Sequence, residues 1–247
     1  MIKVSVITVT YNSEAYIAHT IESVLKQDYE SIEYWIIDGA STDKTVEIAR
    51  EYSGRFQEKG WDYHIVSELD AGIYDAMNKG IRLATGNIIG IINSEDSYEP
   101  DAVKTAVNTF DTTDCEIMFG NLLVYKTNGH KFVKKGKLSD FYQTSRNWNH
   151  PTMFVKSELY KQYPFENKGI HDDYAFYLKM RRQNRKVVVV DKQMAIFRMG
   201  GTSNKKGIKA AWKRMQDRYH YCYRENGYSR WYFLECLFIE AAKWILG

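Results

Sequence analysis

The seven residues Val4–Thr10 read Val-Ser-Val-Ile-Thr-Val-Thr, β-branched at six positions. A run with so little polar surface has no face to give to water, and it reads as a strand buried on both sides of a parallel sheet. Three more strand-like runs follow, at 32–38, 62–67 and 88–93. Helical patterns separate them. Ile17, Ile21, Val24 and Leu25 recur at helical spacing behind Asn12 and Ser13, which are expected to cap that helix. Gly39 ends the second strand, and Ser41-Thr42-Asp43 is expected to cap a helix carrying Val46 and Ile48. Residues 72–83 read as a third helix, stopped by Thr85-Gly86-Asn87, and Pro100 suits the first turn of a fourth. Strands alternating with helices predict the α/β class with a mostly parallel sheet. In such sheets ligands sit beyond the carboxyl ends of the strands.

The second half is less regular. Residues 117–119 and 122–125 are strand-like, with 131–135 completing a hairpin. Residues 148–155 are mixed, 170–182 helical, and 186–190 a strand. Met199-Gly200-Gly201-Thr202-Ser203 reads as a flexible turn, and two helices near 207–225 and 229–246 finish the chain. This divides the 247 residues into a body at 1–204, with halves at 1–97 and 98–204, and a helical extension at 205–247.

Charge narrows the partners. The net charge of +3 is too small for a nucleic-acid binder. Nine Lys/Arg against four Asp/Glu give residues 205–247 a net +5, leaving −2 for the rest. In that extension Lys205, Lys206, Lys209, Lys213, Arg214 and Arg218 stand beside Trp212, Tyr219, Tyr221, Tyr223, Trp231 and Trp244. Such a segment can lie on an anionic membrane surface, pair with a second copy as a homodimer, or pack on the body with only its solvated face basic. Three scattered cysteines argue for a reducing compartment, and neither a leader peptide nor a spanning segment is expected.

Asp38, Asp70, Glu95 and Asp96 fall just after strands, so they are expected to converge on one rim of the sheet. Like charges gathered there call for a cation or a row of donors. Taken singly, each could instead cap the helix that follows. Asp96, at the mouth of an apolar strand, is best placed for a hard divalent cation. Asp172 and Asp173 open a helix; they either complement its dipole or supply a general base. His150, before Pro151, reads as structural or functional. No phosphate-binding loop, dinucleotide fingerprint or serine elbow is present in the sequence.

Several of these segments together resemble family 2 glycosyltransferases. The likeness runs through Val4–Thr10 with Tyr11-Asn12, then Ile21-Glu22-Ser23-Val24-Leu25-Lys26-Gln27 and Trp35-Ile36-Ile37-Asp38-Gly39-Ala40-Ser41-Thr42-Asp43. It continues in Glu68-Leu69-Asp70-Ala71-Gly72-Ile73-Tyr74-Asp75-Ala76-Met77-Asn78-Lys79-Gly80, which is similar to bacterial members that build O-antigen, capsule and exopolysaccharide. The resemblance implies a GT-A fold, a nucleotide-sugar donor such as a UDP-hexose or UDP-N-acetylhexosamine, and inversion at the anomeric carbon. It implies a lipid-linked saccharide acceptor and a cytoplasmic location, peripheral on the plasma membrane. Carried over, Thr8, Thr10 and Asn12 lie under the nucleotide, Asp38 holds the uracil or ribose, and Asp70 and Asp75 border the donor pocket. Glu95 and Asp96 stand at the metal motif, with Asp96 binding Mn²⁺ or Mg²⁺. Asp173 is the base, with Asp172 the second candidate, His150 helps to place a substrate, and Gly201, Thr202 and Ser203 close over the diphosphate. The metal motif departs from the family's paired aspartates, reading Ser94-Glu95-Asp96. That departure is the only support for the alternative, a non-catalytic GT-A module. A nucleotidyltransferase would want a Gly-rich loop where Thr10-Tyr11-Asn12-Ser13 stands.

Overall fold

A computed structural model describes residues 1–199 and 207–246, with the side chains of 243–246 left aside. Gly201, Thr202 and Ser203, Lys205 and Lys206 lie outside the described residues. The elements in the first part are β1 (Val4–Thr10), α1 (Ile17–Leu25), β2 (Ile32–Asp38), α2 (Thr45–Glu51), α3 (Ser53–Glu58), β3 (Asp62–Ser67), α4 (Ile73–Leu83), β4 (Ile88–Ile91), β5 (Ser97–Tyr98) and α5 (Ala102–Thr112). Then come β6 (Ile117–Tyr125), β7 (Lys131–Lys134), a 3₁₀ turn at His150–Thr152, β8 (Phe154–Lys156), α6 (Ser157–Gln162), α7 (Asp172–Arg182), β9 (Val187–Arg198), α8 (Ile208–Asp217), a π-helical turn (Arg218–Arg224) and α9 (Tyr232–Leu246).

One sheet runs β3-β2-β1-β4-β8-β6-β9-β5, with β7 added to β6. The first four strands are all parallel, in keeping with their alternation with helices. Beyond β4 the pairing turns mixed: β8 runs antiparallel to both β4 and β6, β9 parallel to β6, and β5 antiparallel to β9. The parallel expectation holds throughout the first half; in the second, β6 and β9 keep it while β5, β7 and β8 pair antiparallel.

Alternation along the strands explains the layers. Val4, Val6, Ile32, Tyr34, Ile36 and Ile88 point to the face covered by α1, α2, α3 and α5. Ile7, Val9, Ile37, Ile89 and Ile91 point to the other face, under α4, α6, α7 and the C-terminal helices. Gly80 allows α4 to press onto β1, since a Cβ there would meet Ile7 at 2.6 Å.

Several local expectations are corrected. Asn12 and Ser13 do not cap α1, which begins after Tyr16 without a side-chain cap. Their polar groups are engaged elsewhere: Asn12 Oδ1 accepts from Thr42 N, and Ser13 N donates to Thr45 Oγ1. Pro100 lies just before α5, not within it. The two runs around residue 120 form one strand, and β9 continues well past residue 190. The polar triplet Asp191-Lys192-Gln193 masked that continuation. A register shift at Asn121 accommodates it, with Asn121 Nδ2 donating to Asp191 Oδ1.

Glu33 ties β2 to β1 and to the turn before β4. Only 1% exposed, it accepts hydrogen bonds from Ser5 Oγ, Thr85 N and Thr85 Oγ1, and pairs with Lys3 at 3.1 Å. Burial pushes its carboxyl upward, but the hydrogen bonds from Ser5 and Thr85 and the Lys3 ammonium together hold it down to about 2. A depressed carboxyl stabilises the fold above its unfolded value, and that contribution fades as pH falls through the folded value. Glu33→Gln is therefore expected to cost about 3 kcal/mol at pH 7. The gap from wild type should close in acid, between the ordinary glutamate range and about pH 2. Urea unfolding at both ends of that window checks it; equal stability at pH 7 would contradict it.

Candidate active site

The carboxyl ends of β1, β2 and β4 and the loop after β3 bring the strand-end residues together. Two non-glycine residues here take left-handed backbone, Asn12 (φ 47°) and Ala40 (φ 61°). Such conformations are costly unless neighbours impose them. The neighbours are visible: Asn12 N donates to Ser41 Oγ at 2.7 Å while Thr42 N donates to Asn12 Oδ1 at 2.9 Å. Asp38 sits beneath, accepting from Ser41 N, Ser41 Oγ and Ser67 Oγ. This buried carboxylate thus has the row of donors expected for it. Thr10 is 6% exposed, and among the described residues its Oγ1 has no hydrogen-bond partner. Thr8 is enclosed and accepts from Tyr34 OH, so its hydroxyl serves the packing of β1 on β2.

Asp70 and Asp75 clasp one turn. Asp70 Oδ1 accepts from Gly72 N, and Asp75 Oδ2 from Ala71 N. Asp75, in the first turn of α4, also faces Lys79 at 3.9 Å. Asp70 reaches across to Gly39, where a Cβ would lie 2.6 Å from Asp70 Oδ2. A Cβ at Gly39 would push the Asp70 carboxylate aside.

Asp96 is 2% exposed, and its carboxylate accepts one backbone N–H, from Arg198 at 3.2 Å. Burial, aided by the charge of Glu95 and opposed by Arg198, pushes its carboxyl up to about 8. Beside it the buried Asn93 Oδ1 has no partner among the described residues. Among the described residues no three His, Cys, Asp or Glu side chains gather to hold a metal ion. A single under-served carboxylate nevertheless fits Mg²⁺ or Mn²⁺, which take one or two protein carboxylates and fill the rest with phosphate oxygens and water.

Asp172 and Asp173 have separate surroundings. Asp172 turns back and accepts from Lys168 N and Gly169 N, closing the loop before α7. Asp173 turns the other way. Its Oδ1 accepts from Tyr74 OH at 2.9 Å and Tyr174 N at 2.8 Å, while its Oδ2 lies 3.6 Å from His150 Nδ1. Asp173 keeps 19% of its side chain exposed. Both His150 nitrogens are buried, and among the described residues neither has a hydrogen-bond partner. Burial lowers the pKa of His150, and the Asp173 charge opposes that shift. His150 and Asp173 therefore form a pair, with the 3₁₀ turn of His150 packed on β4, β6 and β9.

Three further residues were not legible as members of this region. Tyr74 stands inside a recognisable motif but carries no sequence sign of its target. Lys134 lies in the expected hairpin with no sequence sign of a site role, and its ammonium donates to the carbonyls of Ser145 and Trp148. Burial pulls that ammonium down to about 8. Arg198 was hidden because β9 outruns its apolar stretch.

The sequence profile described as glycosyl transferase family 2 matches residues 5–200. The chain belongs to this family. Among the family's curated members, glycosyltransferase GlyG of Streptococcus pneumoniae is 23% identical over 231 residues, covering 85% of this chain and 76% of GlyG. The PGL/p-HBAD biosynthesis glycosyltransferases of Mycobacterium bovis and Mycobacterium tuberculosis are 31% identical over 126 residues, a match covering 50% of this chain and 48% of theirs. The fold is that of GT-A glycosyltransferases. S. aureus TarS 1–349, solved with UDP, superposes with a TM-score of 0.66 at 22% identity, over 98% of this chain and 78% of that one. The mannosyltransferase PcManGT from Pyrobaculum calidifontis, solved with GDP-Man and Mn²⁺, gives 0.69 at 18% identity, over 98% and 70%.

Proposed function

We propose that this family 2 glycosyltransferase inverts configuration while moving a hexose or N-acetylhexosamine from a UDP-sugar to a hydroxyl of a lipid-linked saccharide. The observation that carries the reading is Asp173, anchored through Oδ1 and open through Oδ2 beside His150. In one displacement the acceptor oxygen bonds to the anomeric carbon, the bond to the departing phosphate breaks, and the acceptor proton passes to Asp173 Oδ2. A single base suffices for inversion, whereas a retaining double displacement would want a second carboxylate as nucleophile. His150, buried and held neutral, shapes the pocket around that oxygen.

Thr10, Asn12 and Asp38 supply the floor for the nucleotide, and the Asp70–Asp75 turn borders it. Asp96 would hold the divalent cation together with the donor's phosphates. When bound, that cation offsets the charge developing on the leaving diphosphate. UDP is favoured as the nucleotide because TarS was solved with UDP and with UDP-GlcNAc. A donor panel read by thermal shift with Mn²⁺ present, followed by the anomeric configuration of the product, tests the reading. No stabilisation by any nucleotide sugar, or a retained anomer, would reject it.

Contact with an anionic bilayer, on the cytoplasmic face of the plasma membrane, belongs to the same proposal. Among the described residues no helix is long and apolar enough to cross a membrane. Arg214 and Arg218 cannot serve that contact, since both are buried and ion-paired with Glu240. Exposed Trp231, Leu234 and Phe238 form one stripe of α9 and the turn before it. Leu234→Asp with Phe238→Asp should lower recovery on anionic vesicles at least ~5-fold by flotation, the scale expected for losing a buried apolar face. Unchanged recovery would remove the membrane from the proposal, and a lost dimer would assign the stripe to a second copy.

A further inference from the structure

Asp173 is held by a residue from the other half of the sheet. Tyr74 lies in the first turn of α4, 99 residues earlier, and is 4% exposed. Its ring packs on Phe165 at 5.4 Å between centroids. Asn78, one turn further along, meets the same residue twice: Nδ2 donates to Phe165 O at 2.8 Å, and Oδ1 accepts from Phe165 N at 3.0 Å. A spacing of four puts Tyr74 and Asn78 on one face of the helix. That face is locked to the segment leading into α7, whose first turn carries Asp173. Burial and the nearby Asp173 charge raise the Tyr74 phenol well above its ordinary range, so it stays a donor.

The two oxygens of Asp173 are therefore unequal. Oδ1 receives two hydrogen bonds; among the described residues Oδ2 receives none and faces His150 at 3.6 Å. We infer that Tyr74 is the positioning residue for the base. It fixes the rotation of the carboxylate by occupying Oδ1 and so selects Oδ2 as the atom that accepts the proton. The turn that starts α4 is the one clasped by Asp70 and Asp75, so the border of the donor pocket and the clamp on the base belong to one rigid helix. This inference rests on the reading of Asp173 as base.

Tyr74→Phe removes the hydroxyl and keeps the ring contact with Phe165. It is compared with wild type, Asp173→Asn and the double variant, each normalised to its UDP-binding fraction so that misfolded protein does not count. Tyr74→Phe alone should lower kcat at least ~10-fold, as for a misplaced catalytic group, with donor KM and UDP Kd within about twofold. In the Asp173→Asn background the same change should cost nothing further, because Tyr74 acts through a group already disabled. A wild-type kcat for Tyr74→Phe would overturn the inference, and so would an equal loss in both backgrounds, which marks a merely structural hydroxyl. Failure of the underlying reading looks different: wild type turns over no donor, or Asp173→Asn matches wild type.

Discussion

Asp173→Asn is expected to lose at least ~100-fold in kcat, because a positioned general base contributes 10²–10⁴-fold, about 3–5 kcal/mol of barrier. The substitution is close to a pure test. An amide oxygen can still accept from Tyr74 OH and Tyr174 N, so the anchoring of the side chain survives while the basic oxygen is lost. UDP affinity should remain within about twofold, since the floor proposed for the nucleotide lies at the ends of β1 and β2. Asp172→Asn should behave in the opposite way. Its carboxylate braces Lys168 N and Gly169 N, so that change should lower melting temperature more than kcat. Released UDP measures the rate and calorimetry the affinity. A kcat for Asp173→Asn within threefold of wild type (a threshold well inside the ~100-fold expected) would reject the base.

Asp96→Ala should abolish the Mn²⁺-dependent part of donor affinity. The physical reason is the imbalance at this carboxylate, buried with one backbone donor while Asp38 has three donors. In the metal-free protein burial pushes Asp96 up to about 8. A carboxyl raised above its unfolded value favours folding below that unfolded value, and the contribution is lost as pH rises through the folded value. Metal-free wild type should therefore lose stability from pH ~4 towards about 8, and Asp96→Asn should remove that slope. Mn²⁺ with UDP must displace the same proton, so their affinity should rise about tenfold per pH unit up to that value. Melting curves across the window, with and without the ion, read both effects. A slope unchanged in Asp96→Asn, or Mn²⁺-dependent binding retained by Asp96→Ala, would remove Asp96 from the metal site.

The first hundred residues were the most legible part. Buried parallel strands have nearly continuous apolar sequences, and the helices between them carry clean periodicity, so β1 to β4 fall close to their expected bounds. Loop polarity was read less well. Asn12 and Ser13 looked like caps because short polar side chains before a helix usually serve that way, yet cross-loop partners at Thr42 and Thr45 took them. Gly201, Thr202 and Ser203 fall outside the described residues.

Local pattern carried the α/β class, the order of strands and helices in the first half, and the placement of acidic residues after strands, because each depends on neighbours a few positions apart. Long-range packing settled the rest. It made Asp172 a loop brace and left Asp173 open, turned Arg214 and Arg218 inward onto Glu240, and brought Tyr74 to a carboxylate 99 residues away. Adjacent aspartates on a helix differ by about 100° of rotation, and what each one meets depends on chain segments far off in the linear order.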